Sequence, residues 1–204
     1  MRSMLVLVGI GAACLFVGAD ASAQSMQKPV SSVELTPFAG FQYGGGFETA
    51  AGRHVSLDAG LDYGGVLGIR VRESWLLEAL YSRQEAALGG DSGPLEVTVE
   101  RLMGGLSEER GDGPTKYFGV VLLGATRFRP RLGDYTSKSN FTVALGLGFK
   151  HLFSRNLGFR AEARGFYVRT ESGGGVFCAG GCLFVFSSSG LWQGDLAGGL
   201  VLAF

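Results

Sequence analysis

Apolar and polar residues alternate along most of this chain, and the alternation holds to its last residue. Leu196, Gly198, Leu200, Leu202 and Phe204 share one face, and Asp195, Ala197, Gly199, Val201 and Ala203 share the other. A period of two is the mark of a strand with two unlike faces. Breaker residues divide the pattern into eight such strands, at about 33–43, 61–72, 75–85, 95–108, 115–128, 140–153, 157–170 and 191–204. Pro37 lies inside the first and cannot donate to a ladder, so a bulge or an unpaired position is expected there.

The faces assign a polarity to each strand. In the sixth, Phe141, Val143, Leu145, Leu147 and Phe149 form an apolar stripe opposite Thr142, Ala144, Gly146, Gly148 and Lys150. In the seventh, Arg160, Glu162 and Arg164 lie opposite Phe159, Ala161, Ala163, Gly165 and Tyr167. Charged residues thus share a face with small ones, and the greasy face is the outer one. A soluble barrel, the alternative fold, would have the reverse polarity. For the fifth strand the reading puts Phe118, Val120, Leu122 and Phe128 outward and Tyr117, Val121, Ala125 and Arg127 inward. In the fourth, Val97, Val99 and Met103 share a face with Arg101. A charge facing lipid costs about 2–4 kcal/mol at midplane, so a bulge that changes register near Glu100 is expected.

Short connections at 73–74, 110–114 and 154–156 alternate with long ones at 44–60, 86–94, 129–137 and 171–190. With an even strand count, both ends of the barrel and the short turns fall on one side. Closing the meander removes the exposed edges that lipid cannot tolerate. Glycine, at 35 of 204 residues, is more than twice its usual share of about 7%. Without a collagen repeat this points to tight turns and close strand contacts. Net charge is zero, which argues against nucleic acid as a partner.

The first residues read as a secretory leader. Arg2 supplies the positive region, 5–18 the apolar stretch, and Ala21-Ser22-Ala23 a cleavage motif, so cutting is expected between Ala23 and Gln24. Cys14 would leave with this leader. The expected organisation is a signal peptide at 1–23, a short segment at 24–32 and one barrel at 33–204.

Glu34-Leu35-Thr36-Pro37-Phe38-Ala39-Gly40-Phe41, the Leu77-Glu78-Ala79-Leu80-Tyr81-Ser82-Arg83 strand and terminal Phe204 carry a resemblance. The chain resembles the small, porin-like eight-stranded outer-membrane β-barrels of Gram-negative bacteria, the group that includes OmpX and the OmpA membrane domain. The resemblance implies an all-β, closed, antiparallel up-and-down transmembrane barrel, monomeric, with both termini periplasmic and four long loops outside. It implies lipid and lipopolysaccharide as surroundings. It also implies recognition by the barrel-assembly machinery through the last strand, with Leu200, Leu202 and Phe204 as its signal. No peptidoglycan-binding domain is expected after Phe204.

The inward set predicted from the faces is Glu34, Asp62, Arg70, Arg72, Glu78, Arg127, Lys150, Arg160, Glu162 and Arg164. An eight-stranded barrel is just wide enough for its own side chains. Buried unpaired charge is costly, so these groups should pair into a network that fills the lumen. A gated narrow pore for small molecules is the alternative. Cys178 and Cys182, in Cys-Ala-Gly-Gly-Cys, are expected to form a loop-bracing disulfide in an oxidising envelope. Two thiolates without a His pair are too few for zinc, so neither a metal nor a cofactor is expected. The apolar flanks 176–177 and 183–186 are expected to lengthen strands seven and eight, the alternative being an adhesive hairpin above the membrane. His54 with Asp91 and Ser92 is the one constellation that could serve acyl transfer. Asp-Ser-Gly is also ordinary loop chemistry, and the chain is not read as an enzyme. The expected role is envelope structure or surface interaction through the outer loops, with an extracellular ligand that the sequence does not name.

Overall fold

A computed structural model describes residues 33–48, 54–88, 95–130, 138–169, 175–178, 182–185 and 190–204. The expected leader with its Ala23–Gln24 junction and the 24–32 segment lie outside the described residues, as do Asp91 and Ser92. Eight long strands close into one antiparallel barrel: β1 (Val33–Tyr43), β4 (Gly60–Arg70), β5 (Trp75–Leu88), β6 (Leu95–Arg110), β7 (Thr115–Pro130), β8 (Lys138–Leu152), β9 (Leu157–Arg169) and β12 (Gly190–Ala203). Each pairs with its neighbour in sequence, and β1 pairs with β12 to complete the wall. The loop after β1 carries a small ladder of β2 (Gly46–Glu48) and β3 (His54–Ser56). The loop after β9 carries another, of β10 (Gly175–Cys178) and β11 (Cys182–Val185).

The register is unbroken round the wall. Carried from partner to partner, Val33 leads to Ile69, Leu77, Leu106, Val121, Leu145, Gly165, Gly194 and back to β1 at Tyr43, ten residues further on. That stagger, with a rise of about 3.3 Å per residue and a strand spacing of about 4.8 Å, tilts the strands by roughly 40° from the barrel axis. β6 and β7 reach 16 residues each. A tilted strand needs only about 9–11 residues to cross a bilayer, so the wall continues beyond the membrane band on the long-loop side. The short turns at the other end cap themselves. Val71 and Arg72 N–H donate to the Trp75 carbonyl, and Gly111 and Gly113 adopt the positive φ that the β6–β7 turn requires.

Among the ladders of the barrel wall, the lapse is at Pro37. Its pairing with Gly65 on β4 is kept, whereas the β1–β12 partners run Glu34–Leu35 and resume at Phe38 in the same register. The missing N–H therefore leaves an unpaired stretch and no bulge.

Four expectations are corrected. β6 has no bulge near Glu100: it pairs continuously with β5 and β7, and its Val97, Val99, Arg101 and Met103 face is the luminal one. β7 is turned over relative to the sequence reading. Phe118, Val120, Leu122 and Phe128 are buried inside, while Tyr117, Val121, Ala125 and Arg127 face out. Both faces of that strand are apolar, so alternation set its period but not its sign. Arg72 is not luminal either, because β4 ends at Arg70 and Arg72 is exposed in the turn. Finally, 176–178 and 182–185 form a ladder of their own and do not lengthen the β9–β12 pair, whose register ends at Arg169 and Gly190.

Candidate functional site

The lumen collects the functional chemistry of the wall, because every strand sends alternate side chains into it. Three tiers of ion pairs cross it. Nearest the short turns, Arg70 Nη2 donates to Glu34 Oε1 and Glu109 Oε2, each at 3.0 Å. Lys150 Nζ donates to Glu34 Oε2 at 2.7 Å and also pairs with Glu109. Two acids from β1 and β6 thus hold two cations from β4 and β8, which ties opposite sides of the wall together.

In the second tier Arg160 grips Glu78 with two parallel hydrogen bonds of 3.0 Å, and its Nε donates to Glu162 Oε2 at 3.0 Å. Ser107 Oγ donates to Glu78 Oε1 at 2.6 Å. Such bidentate, charge-assisted contacts are the strong ones. The guanidinium also lies 4.1 Å from the Phe118 ring centroid, a cation–π contact in a water-poor setting.

The third tier lies toward the long loops. Arg164 pairs with Asp195 and lies 4.4 Å from the Phe38 ring. Arg101 donates to the side-chain oxygens of Gln42 (2.8 Å) and Gln193 (2.6 Å) and lies 4.6 Å from Phe166. Asp62, Ser82 and Gln84 are fully buried within this half of the lumen. Between the second and third tiers a void lined by Thr36, Phe38, Val66, Arg160, Glu162 and Arg164 measures about 10 Å³. That is room for roughly one water molecule.

The lumen is only partly polar. Phe38, Val66, Leu80, Met103, Phe118, Val120, Leu122, Ala144 and Phe166 form one buried apolar cluster. The luminal glycines sit where the wall leaves no space. A Cβ at Gly105 would lie 1.9 Å from the Val121 carbonyl oxygen, and one at Gly124 would lie 2.2 Å from that of Leu102. Outward glycines such as Gly65, Gly119 and Gly165 meet nothing nearer than about 3.9 Å.

Of the residues expected in the lumen, Glu34, Asp62, Arg70, Glu78, Lys150, Arg160, Glu162 and Arg164 are brought inside. Arg72 and Arg127 are not. Arg101, Glu109 and Asp195 complete the tiers and lie outside the set predicted from the faces. Arg101 is left out of the predicted set because Val97, Val99 and Met103 on its face read as lipid-facing, and a bulge near Glu100 is expected to separate it from them. Glu109 lay beyond the expected end of its strand. Asp195 carried a visible signal, its place opposite the Leu196–Phe204 stripe. Cys178 and Cys182 are direct register partners in the β10–β11 ladder. Of the His54, Asp91 and Ser92 set, only His54 falls within the described residues, at the start of β3. Among the described residues no group of three or more His, Cys, Asp or Glu side chains could hold a metal ion.

The outer wall is the mirror image. Leu61, Leu67, Ile69, Leu77, Leu102, Leu123, Leu145 and Leu147 are all exposed. Aromatic residues frame this apolar band: Trp75, Tyr117 and Phe153 toward the short turns, Tyr43 and the Tyr167–Trp192 pair toward the long loops, the latter rings 5.0 Å apart. An apolar outer band between aromatic girdles is what a bilayer selects in a barrel.

No protein-family model and no curated protein matches the sequence. Solved structures do match. Neisserial surface protein A superposes with a TM-score of 0.63 at 14% identity, over 84% of this chain and 97% of that one. The outer membrane protein OprG from Pseudomonas aeruginosa gives a TM-score of 0.55 at 12% identity, over 85% and 96%. With the closed wall, the inverted polarity and the girdles already in place, this likeness settles the architecture: the chain has the fold of the small eight-stranded outer-membrane β-barrels.

Proposed function

We propose that the protein is an integral outer-membrane barrel with a sealed lumen, acting in envelope structure or surface interaction through the loops opposite its termini. The observation that carries this reading is the filling of the lumen by three successive ion-pair tiers and an apolar cluster, with a void of only about 10 Å³ between the upper two tiers. A diffusing solute would have to displace Arg160 from Glu78 and Glu162, and Arg164 from Asp195. Separating buried, hydrogen-bonded charges of this kind costs several kcal/mol per partner. The wall rising past the membrane band then serves as a rigid mount for the long loops.

The experiment is conductance of the purified protein in planar bilayers. Traces indistinguishable from protein-free bilayers are expected. Discrete steps well above background would overturn the sealed lumen in favour of a narrow channel. Protease accessibility of the long loops on intact cells tests the orientation separately.

A further inference from the structure

We propose that the first loop is a lid over a blind polar pocket in the long-loop half of the lumen, and that this pocket takes a small uncharged solute able to give and accept hydrogen bonds. The pocket goes beyond the sealed lumen and does not open it, because the Arg160–Glu78 tier stays closed beneath.

The lid is a strap across four neighbouring strands. The chain leaves β1 through Gly44 and Gly45, whose φ angles of 82° and 109° set its turn. An ideal Cβ on Gly45 would lie 3.2 Å from Gln193 Nε2 and 3.5 Å from Leu57 Cβ, so Leu57 sits close to a luminal side chain. The Leu57 N–H donates to the Gly45 carbonyl at 2.8 Å, and the Asp58 N–H donates to the Ala87 carbonyl on β5 at 2.9 Å. Leu57 is only 6% exposed, whereas loop residues mostly run over the surface.

The strands from Gln193 to Ala87 are β12, β1, β4 and β5, consecutive in the wall. Each contributes one buried polar side chain with atoms that have no hydrogen-bond partner: Gln193 Nε2, Gln42 Nε2, both carboxylate oxygens of Asp62, and Gln84 Oε1. Asp62 and Gln84 are register partners. Arg101 takes the oxygen end of both glutamine amides and leaves their Nε2 groups over. Two donors thus stand on β12 and β1, and three acceptor oxygens on β4 and β5. One acid and one arginine balance here, so an added ion would be buried without a counter-charge. A hydroxyl or a water molecule, which donates and accepts, answers both sets. The closed strap gains the burial of Leu57 and two backbone hydrogen bonds, and it leaves these polar atoms unsatisfied. Opposed contributions of this kind place a segment at the low-stability end, where local opening occurs within the native state.

The test is thiol labelling of the barrel folded in detergent micelles, with the native cysteines replaced by Ser. Ser82→Cys, buried beside Asp62, reports the pocket. Ser107→Cys, at the Glu78 tier, reports the lumen beneath it. 2-Hydroxyethyl methanethiosulfonate should modify Ser82→Cys about tenfold or more faster than Ser107→Cys. Leu57→Ala should raise the first rate by about tenfold or more and leave the second unchanged, with the heat-modifiable gel mobility of the folded barrel kept. The 2-aminoethyl reagent, similar in size but charged, should lag the hydroxyethyl one severalfold at Ser82→Cys, each rate taken relative to the same thiol in the unfolded chain. Equal rates at the two cysteines, or a Ser82→Cys rate indifferent to Leu57→Ala, would overturn the lid. A charged reagent as fast as the uncharged one would overturn the assigned solute. Conductance steps would sink the sealed lumen instead, a failure that the labelling rates do not read.

Discussion

Arg164 and Asp195 are register partners across the β9–β12 ladder, and their side chains close a fully buried ion pair, with Nε 2.8 Å and Nη2 2.5 Å from Asp195 Oδ2. The pair occupies the seam next to the β1–β12 closure, so it holds the last strand to the lumen as well as to its neighbour. Asp195→Asn would leave a guanidinium buried without its counter-charge, a loss of about 3–5 kcal/mol. Replacing both partners, Arg164→Met with Asp195→Leu, should recover most of that loss, because the isolated charge is what costs. Urea unfolding in micelles, read by gel mobility, measures both. A single variant as stable as the parent would remove the pair from the account of stability.

Glycine separates inside from outside in the same quantitative way. Gly105→Ala puts a methyl 1.9 Å from a backbone oxygen that the barrel curvature fixes in place, so the wall must deform. Overpacking of this kind costs roughly 1–3 kcal/mol, occasionally more. Gly119→Ala, one strand away and outward, meets its nearest atom at 4.0 Å and should be neutral or stabilising by up to about 1 kcal/mol, since alanine loses less backbone entropy. Opposite signs for these two substitutions in one unfolding series are the expected result.

The contrast also shows what was legible in the sequence. Strand number, antiparallel closure and the lipid-type polarity of β8, β9 and β12 could be read directly, because one face of each was charged or small and the other greasy. β7 could not, since Phe118 and Val120 on one face compete with Tyr117 and Val121 on the other. The deciding factor is volume. A lumen with eight of the eleven charged residues named above already legible still needs apolar bulk between the tiers, and Phe118 supplies it beneath Arg160. Arg101 was hidden for a related reason: its apolar neighbours Val97, Val99 and Met103 looked like a lipid face, yet they pack inside beside it. The register that settles both strands is a property of the closed ring and has no counterpart in any single segment.

Cys178 and Cys182 lie directly opposite each other in a ladder separate from the barrel wall. An oxidised pair should appear as a mass lower by two hydrogens than the reduced protein. Because β10 and β11 share no ladder with β9 or β12, the Cys178→Ser/Cys182→Ser variant should leave barrel unfolding within about 0.5 kcal/mol of the parent. Its effect belongs to the hairpin, where resistance of the 171–190 loop to protease should fall. Loss of barrel stability in this variant would mean that the hairpin braces the wall.

The orientation of β7 supplies the most direct test of the whole polarity. Leu122 is buried in the lumen and Leu123, its neighbour in sequence, is half-exposed on the outer wall. Leu123→Arg should cost about 2–4 kcal/mol if that position sits near the bilayer midplane, and the cost should shrink when the protein is moved from lipid vesicles to a thin detergent micelle that admits water. Leu122→Arg places its charge among Met103, Phe118 and Phe166, whose packing no change of lipid relieves, so its penalty should be the same in both media. A lipid-soluble maleimide adds the structural control, labelling Leu123→Cys in vesicles and sparing Leu122→Cys. The reverse labelling pattern would return β7 to the orientation that its sequence suggested and would empty the second tier of the aromatic ring on which Arg160 rests.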